Sequence, residues 1–232
     1  MKENFFEGKD FTGTKFKALI PKYYPLQYQK YIAEETKLLQ KRLGGAARIL
    51  EAGVGIGRLI PALAPLVTGF VGIDNATLML NEAQKIAKSY PNVKIIKSDL
   101  EKISSLFPVH YFDFSLCVWN TLGNVQDEVL VLRELSRVTA KSIFITVYRK
   151  GTITQRKRWY QKVGIKIAGV DLKKEIFYSE SGLKSKSYSL IDIKELAKAT
   201  NLQIKDFKIL NGVMLFVELV KSKKINRKKR NT

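Results

Sequence analysis

The segment Arg48-Ile-Leu-Glu-Ala-Gly-Val-Gly-Ile-Gly-Arg58 concentrates the residues that could do chemistry. A short apolar run ends in an acid, Glu51. Then come three glycines, Gly53, Gly55 and Gly57, in the spacing E-x-G-x-G-x-G. Without a Cβ, such a loop turns sharply and lets a ligand approach the backbone. An acid at the strand end suits a cationic ligand group and would repel a pyrophosphate. A dinucleotide fingerprint needs G-x-G-x-x-G. Here the third glycine comes one residue early and Arg58 stands in its place, so a nicotinamide-dependent oxidoreductase is disfavoured. No P-loop Gly-Lys-Ser/Thr is present either. Asp74 lies 21 residues beyond Gly53, where an acid commonly accepts hydrogen bonds from ribose hydroxyls. Asp74 could also cap the following helix, as could Asn75. Asp99, after a third apolar run, reads alone as a turn residue.

The sequence offers no acid–base pair, and catalytic residues stay unassigned. His110 and Asp113 flank the start of a strand, at the amino edge of any parallel sheet. Cys117 sits in an apolar run and reads as a buried, inert thiol. It is the single cysteine, and His110 the single histidine, so neither an intrachain disulfide nor a typical zinc site is expected. Around the carboxyl edge, acceptor-contacting candidates are Tyr23, Tyr24 and Tyr28, then Trp119, then Tyr148-Arg149, and Trp159, Tyr160 and Tyr178. Arg149 follows a strand at the proper end and could hold a carboxylate or phosphate. A surface arginine is an equal reading, as is a core role for Trp119.

The loop resembles motif I of the Rossmann-like (class I) methyltransferases that use S-adenosylmethionine (SAM). The resemblance implies that Glu51 meets the amino group of the methionine part and that Asp74 and Asn75 lie at the ribose. It implies that Asp99 and Leu100 lie beside the adenine. The stretch Cys117-Val-Trp-Asn-Thr-Leu-Gly-Asn124 resembles the family's fourth motif, particularly in enzymes similar to glycine N-methyltransferases. This places Val118 and Asn120 at the methionine part and Trp119 at the transfer site. The likeness covers roughly residues 48 to 148, together with the end of the chain.

The elements that must hold these residues alternate. A helix over Tyr28–Arg42 stops at Gly44-Gly45. Strands are predicted at Arg48–Ala52, Gly69–Ile73, Val93–Lys97, Phe112–Val118 and Ser142–Tyr148. Helices are predicted at Arg58–Leu66, Ala76–Ser89, Asp127–Val138 and Asp192–Thr200. Such alternation argues for an α/β fold with a parallel sheet and helices on both faces. Leu202–Leu210 and Val213–Val220 flank Asn211-Gly212, a strong hairpin signal. The expected architecture is therefore a Rossmann-like, mostly parallel seven-stranded sheet closed by a C-terminal antiparallel hairpin. Residues 1–45 are expected as an N-terminal helical lid and 46–220 as the SAM-dependent domain. An insertion or cap is expected at 151–189, and a basic disordered tail at 221–232.

The chain has 232 residues, 45% of them hydrophobic, which suits one large domain. Its net charge is +20, and the tail carries seven of the cations, so the body is basic too. That field leaves nucleic acid open as a partner. No secretory segment or membrane-length apolar run is present, so the expectation is a cytoplasmic protein without membrane contact. The oligomeric state is not encoded legibly. The leading expectation is methylation of a small molecule. Methylation of RNA or protein through the basic surface is the runner-up, with Arg156-Lys157-Arg158-Trp159 combining cations and an aromatic as single-strand binders do. A non-catalytic SAM-binding protein is the third.

Overall fold

Five apolar runs with inward residues on two sides form the centre of the molecule. The computed structural model describes residues 5–6, 20–45 and 48–222. The expected tail beyond 222, residues 46–47, and most of the lid before residue 20 lie outside the described residues. Strands β1 (Arg48–Ala52), β2 (Gly69–Asp74), β3 (Val93–Lys97), β4 (Phe112–Cys117) and β5 (Thr139–Tyr148) run parallel. β9 (Leu202–Leu210) and β10 (Met214–Lys221) complete a seven-stranded sheet in the order β3-β2-β1-β4-β5-β10-β9. β10 is antiparallel to both of its neighbours. Asn211 (φ 46°) and Gly212 (φ 72°) make the tight turn between them, as their types demand.

Side chains alternate across this sheet. Ile49, Phe70, Leu116, Phe144 and Phe216 face one core. Leu50, Val71, Cys117, Ile143 and Leu215 face the other. On the first side pack α1 (Leu26–Leu43), α2 (Ile60–Leu63) and α3 (Thr77–Ala87). On the second pack α4 (Ile103–Leu106), α6 (Glu128–Val138) and α8 (Leu190–Ala199). Helices thus cover both faces, as expected. α5 (Thr121–Asn124) is a single turn just beyond β4.

Two expectations change. The helix expected over Arg58–Leu66 is only the short α2 followed by a 3₁₀ turn, Ala64–Leu66. Pro61 fits its first turn, but Pro65 has no N–H to donate and stops propagation. The segment read as a weakly patterned insertion has its own structure. It holds α7 (Ile153–Lys162) and a three-stranded antiparallel sheet of β6 (Ile167–Asp171), β7 (Ile176–Ser179) and β8 (Lys184–Lys186). The cap leaves the main sheet at Arg149 and returns at Tyr188, and these two residues pair directly. Tyr188 N–H also donates to Tyr148 C=O (2.8 Å) and Lys150 N–H to Tyr188 C=O (2.9 Å).

α1 is part of the core rather than a separate lid: Tyr28, Tyr31, Glu35, Leu39 and Leu43 are buried along its inner face. No helix among the described residues is long and apolar enough to cross a membrane.

Candidate functional site

The chain passes from β1 outward to β2 and β3, then crosses back to β4 on the other side of β1. Ligands of open α/β sheets bind in the crevice that this reversal opens at the strands' carboxyl ends. A cavity of about 510 Å³ lies there. It is lined by the β1–α2 loop, by Asp74-Asn75 after β2, by Asp99-Leu100-Glu101 after β3, and by Val118-Trp119 after β4. Phe5, Phe6 and Tyr24 close it from the N-terminal side, and Gly182-Leu183-Lys184 from the cap.

The glycine loop is held from below. Gly53 and Val54 both donate to Ile73 C=O, at 2.8 and 2.9 Å. Gly55 has φ +54°, and a Cβ there would meet nothing within 4 Å, so its bare backbone faces open space. Gly57, at φ +80°, is different: an added Cβ would sit 2.7 Å from Ile60 Cδ1 and 3.1 Å from Ala83 Cα. Gly57 therefore lets the loop pack on α3 and does not line the cavity. Asp74 braces the same loop. One carboxylate oxygen accepts from Gly55 N–H (2.9 Å) and the other from Ala76 N–H (3.0 Å). Neither Asp74 nor Asn75 is the N-cap of α3; that position is Ala76. Asn75 instead donates to Asp99 (3.2 Å), joining the loops after β2 and β3 at the cavity wall.

Two side chains in this cavity hold buried polar atoms without a partner among the described residues. Glu51 is 3% exposed, its Oε2 has no hydrogen-bond partner, and its carboxyl is pushed up to about 8. Burial is the main cause, Arg58 opposes it, and Glu35 and Asp74 add to the rise. Arg58 Nη2 donates to Glu35 Oε2 at 2.6 Å, but its buried Nη1 has no partner. A buried polar atom left unpaired costs about 1–3 kcal/mol, more when charged. An orphan acceptor and an orphan cationic donor beside one glycine loop match the ammonium and carboxylate of an α-amino acid. SAM carries both groups on a nucleoside, so the residues present fit it.

Several expected site residues lie elsewhere. Asn120 is 1% exposed and does not line the cavity. Its amide accepts from Tyr148 N–H (3.0 Å) and donates to Ser185 Oγ (3.2 Å) and Asn124 (3.3 Å), tying β4 to β5 and the cap. Tyr28 is fully buried against Trp119, Tyr148 and Trp159. Tyr23 is 40% exposed and Arg149 sits at the cap seam, and neither lines the cavity. Trp119 does line it, but both ring faces are covered, by Tyr24 (5.0 Å, 5°) and Tyr31 (5.3 Å, 14°). Its indole therefore offers an edge. Trp119 and Asn120 are consecutive left-handed residues (φ 54° and 62°), the kind of strained backbone that clusters at functional sites.

His110 contacts Lys221 at the far end of the sheet, and Cys117 is buried with its thiol raised to about 12. Neither faces the cavity. Tyr24, a candidate from the sequence, does line the cavity, whereas Arg58 and Glu35 escaped the sequence reading as site residues. Arg58 had a signal, since a cation directly after the third glycine enters the crevice with the loop. Glu35 had none.

Residues 49–142 match a family model described as a methyltransferase domain. A protein from Pyrococcus horikoshii is 18% identical, with a TM-score of 0.70 over 90% of this chain and 99% of its own. The 1,6-didemethyltoxoflavin-N1-methyltransferase of Burkholderia thailandensis, solved with 1,6-didemethyltoxoflavin and S-adenosylhomocysteine, is 13% identical with a TM-score of 0.67, over 92% of this chain and 86% of its own. The magnesium protoporphyrin IX methyltransferase of Synechocystis, solved with S-adenosylhomocysteine, is 16% identical with a TM-score of 0.63, over 91% and 96%. No curated protein matches the chain in sequence. Fold and family match agree: the chain has the Rossmann-like fold of these methyltransferases, and its residues 49–142 match a methyltransferase domain.

Proposed function

We propose that the chain methylates a small-molecule acceptor, and that its cofactor is held by the groups converging on the glycine loop. The observation that carries this is the buried Glu51 side chain, its Oε2 without a partner among the described residues, lining the same cavity as Arg58. Glu51 and Arg58 would hold the amino-acid end of SAM and the Gly53 and Gly55 backbone its middle. Asp74 with Asn75 would hold the ribose, and Asp99 and Leu100 the adenine. Val118 and the Trp119 edge would form the acceptor side. Asn120 acts one layer behind, shaping that backbone.

When bound, SAM supplies an electrophilic methyl group on sulfonium sulfur. The protein's part is alignment and exclusion of water. Alignment can contribute about 7–11 kcal/mol of barrier reduction. Tyr24, Trp119, Met79 and Leu183 give the acceptor an apolar enclosure, and Lys184 and Gln126 give it polar contacts. A small acceptor is favoured because the cap closes over the crevice. The aromatic expected to serve a nucleic acid is also withdrawn: Trp159 is 4% exposed and Arg156 fully buried.

Calorimetry with S-adenosylhomocysteine and with NADH tests the reading directly. Binding of the first and not the second is expected. Gly55→Val should abolish that binding in a folded protein, because the new side chain enters the open space above the loop. Retained affinity would overturn the assignment. Mass spectrometry of small-molecule extracts incubated with labelled SAM would identify the acceptor.

A further inference from the structure

Glu35 lies on α1, far from the glycine loop in sequence, yet it is fully buried beside it. Three groups donate to its carboxylate. They are Arg58 Nη2 (2.6 Å), Thr146 Oγ1 (2.5 Å) and the Tyr31 hydroxyl. The three donors lead to two parts of the cavity. Arg58 lines the cavity and keeps a buried Nη1 without a partner among the described residues. Thr146 Oγ1 also accepts the backbone N–H of Trp119 (2.8 Å), the left-handed residue of the acceptor wall. The Tyr31 ring covers one face of the Trp119 indole.

A buried carboxylate is costly unless paired and hydrogen-bonded. Glu35 is fully supplied, whereas Glu51, facing the same arginine, is not. The fold therefore pins one end of Arg58 and leaves the other available. The single charge-assisted hydrogen bond from Nη2 to Glu35 anchors that end of the guanidinium.

We propose that Glu35 is a positioning residue with two outputs. It aims Arg58 Nη1 at the carboxylate of the bound ligand's amino-acid end, and through Thr146 and Tyr31 it fixes Trp119 at the acceptor wall. The cofactor end and the acceptor end of the cavity thus share one buried support on the N-terminal helix. This rests on the functional reading above, which supplies the ligand.

The test uses two probes that share a nucleoside and a sulfur. S-adenosylhomocysteine has the amino-acid end, and 5′-methylthioadenosine lacks it. Binding is measured by calorimetry in the full-length Trp159→Phe protein, whose remaining tryptophan fluorescence reports Trp119. Glu35→Gln should weaken S-adenosylhomocysteine by about tenfold, the worth of one charge-assisted hydrogen bond. It should leave 5′-methylthioadenosine unchanged and shift the Trp119 emission without any ligand. Thr146→Val should shift the emission while S-adenosylhomocysteine affinity holds.

Equal loss of both probes in Glu35→Gln, or no loss of either, overturns the proposal, since a merely structural carboxylate would do one or the other. If Glu35→Gln fails to fold, Arg58→Lys takes its place on the binding arm and must separate the two probes; failure to do so overturns the proposal. Wild-type protein that binds neither probe would sink the SAM reading itself, which is a distinct outcome.

Discussion

At Glu51 the sign of a charge depends on what stands opposite it. Burial lifts its carboxyl to about 8, so between the unfolded value of 4.5 and 8 the native chain keeps a proton that the unfolded chain releases. Stability should therefore fall as pH rises through that window and level off above it. Glu51→Gln should leave the melting temperature near pH 5 unchanged and raise stability at pH 8.5 by an amount on the order of a few kcal/mol. A thermal scan at both pH values checks this; equal effects at both would contradict it. A ligand ammonium requires the ionised form, so S-adenosylhomocysteine should bind up to about tenfold tighter per pH unit from 6 to 8, with proton release. Glu51→Gln should flatten that slope. Glu51, Asp74, Gly53 and Gly55 were legible in the sequence because one contiguous βαβ segment carries them at fixed spacing. Glu35 and Arg58 were not legible as a pair, because only the docking of α1 brings them together. Asn120 was placed at the cofactor by its motif, but its left-handed backbone turns the amide inward, towards Ser185 and Tyr148.

At the scale of elements, the strands were legible to within a few residues because each is an apolar run between breakers. Helix starts were written in side chains that satisfy free N–H groups. Asp127 accepts from Leu130 N–H (2.8 Å) at the start of α6, and Ser189 and Asp192 form a reciprocal pair at the start of α8. Asp127→Ala should cost about 1 kcal/mol, or roughly 2–4 °C in melting temperature, with no change in S-adenosylhomocysteine affinity. Differential scanning calorimetry beside a binding titration tests both halves. The small sheet of the cap was not legible. β6, β7 and β8 span five, four and three residues, and β8 reads Lys-Ser-Lys, too short and polar to show alternation.

Across the whole molecule, the cap is fastened by a buried cation. Arg156 lies between the rings of Tyr148 (4.7 Å) and Phe177 (4.8 Å). It donates to Ser185 C=O (2.5 Å), Ser185 Oγ (3.0 Å) and Glu175 C=O (3.2 Å). Ser185 Oγ also accepts from Tyr160 (2.6 Å) and Asn120, so cap and sheet meet at one hydroxyl. A lysine cannot reproduce a planar, stacked fork. Arg156→Lys should cost about 2–4 kcal/mol. Hydrogen exchange should then rise across 153–186 while the amides of β1, β2 and β4 stay protected; a uniform rise would mean that the cap does not loosen separately. The net charge of +20 and three of the cavity's acids, Asp74, Asp99 and Glu101, point in opposite electrostatic directions. Composition exposed the first, but only the fold reveals the second.

The doorway at Arg149 and Tyr188 carries one more implication. The two ends of the cap are already neighbours, bonded across a single backbone bridge, while most of the cavity's lining comes from the loops after β1 to β4, which precede them. Natural variation could thus trade one cap for another at that doorway, reshaping that side of the cavity while the loops after β1 to β4 stay as they were.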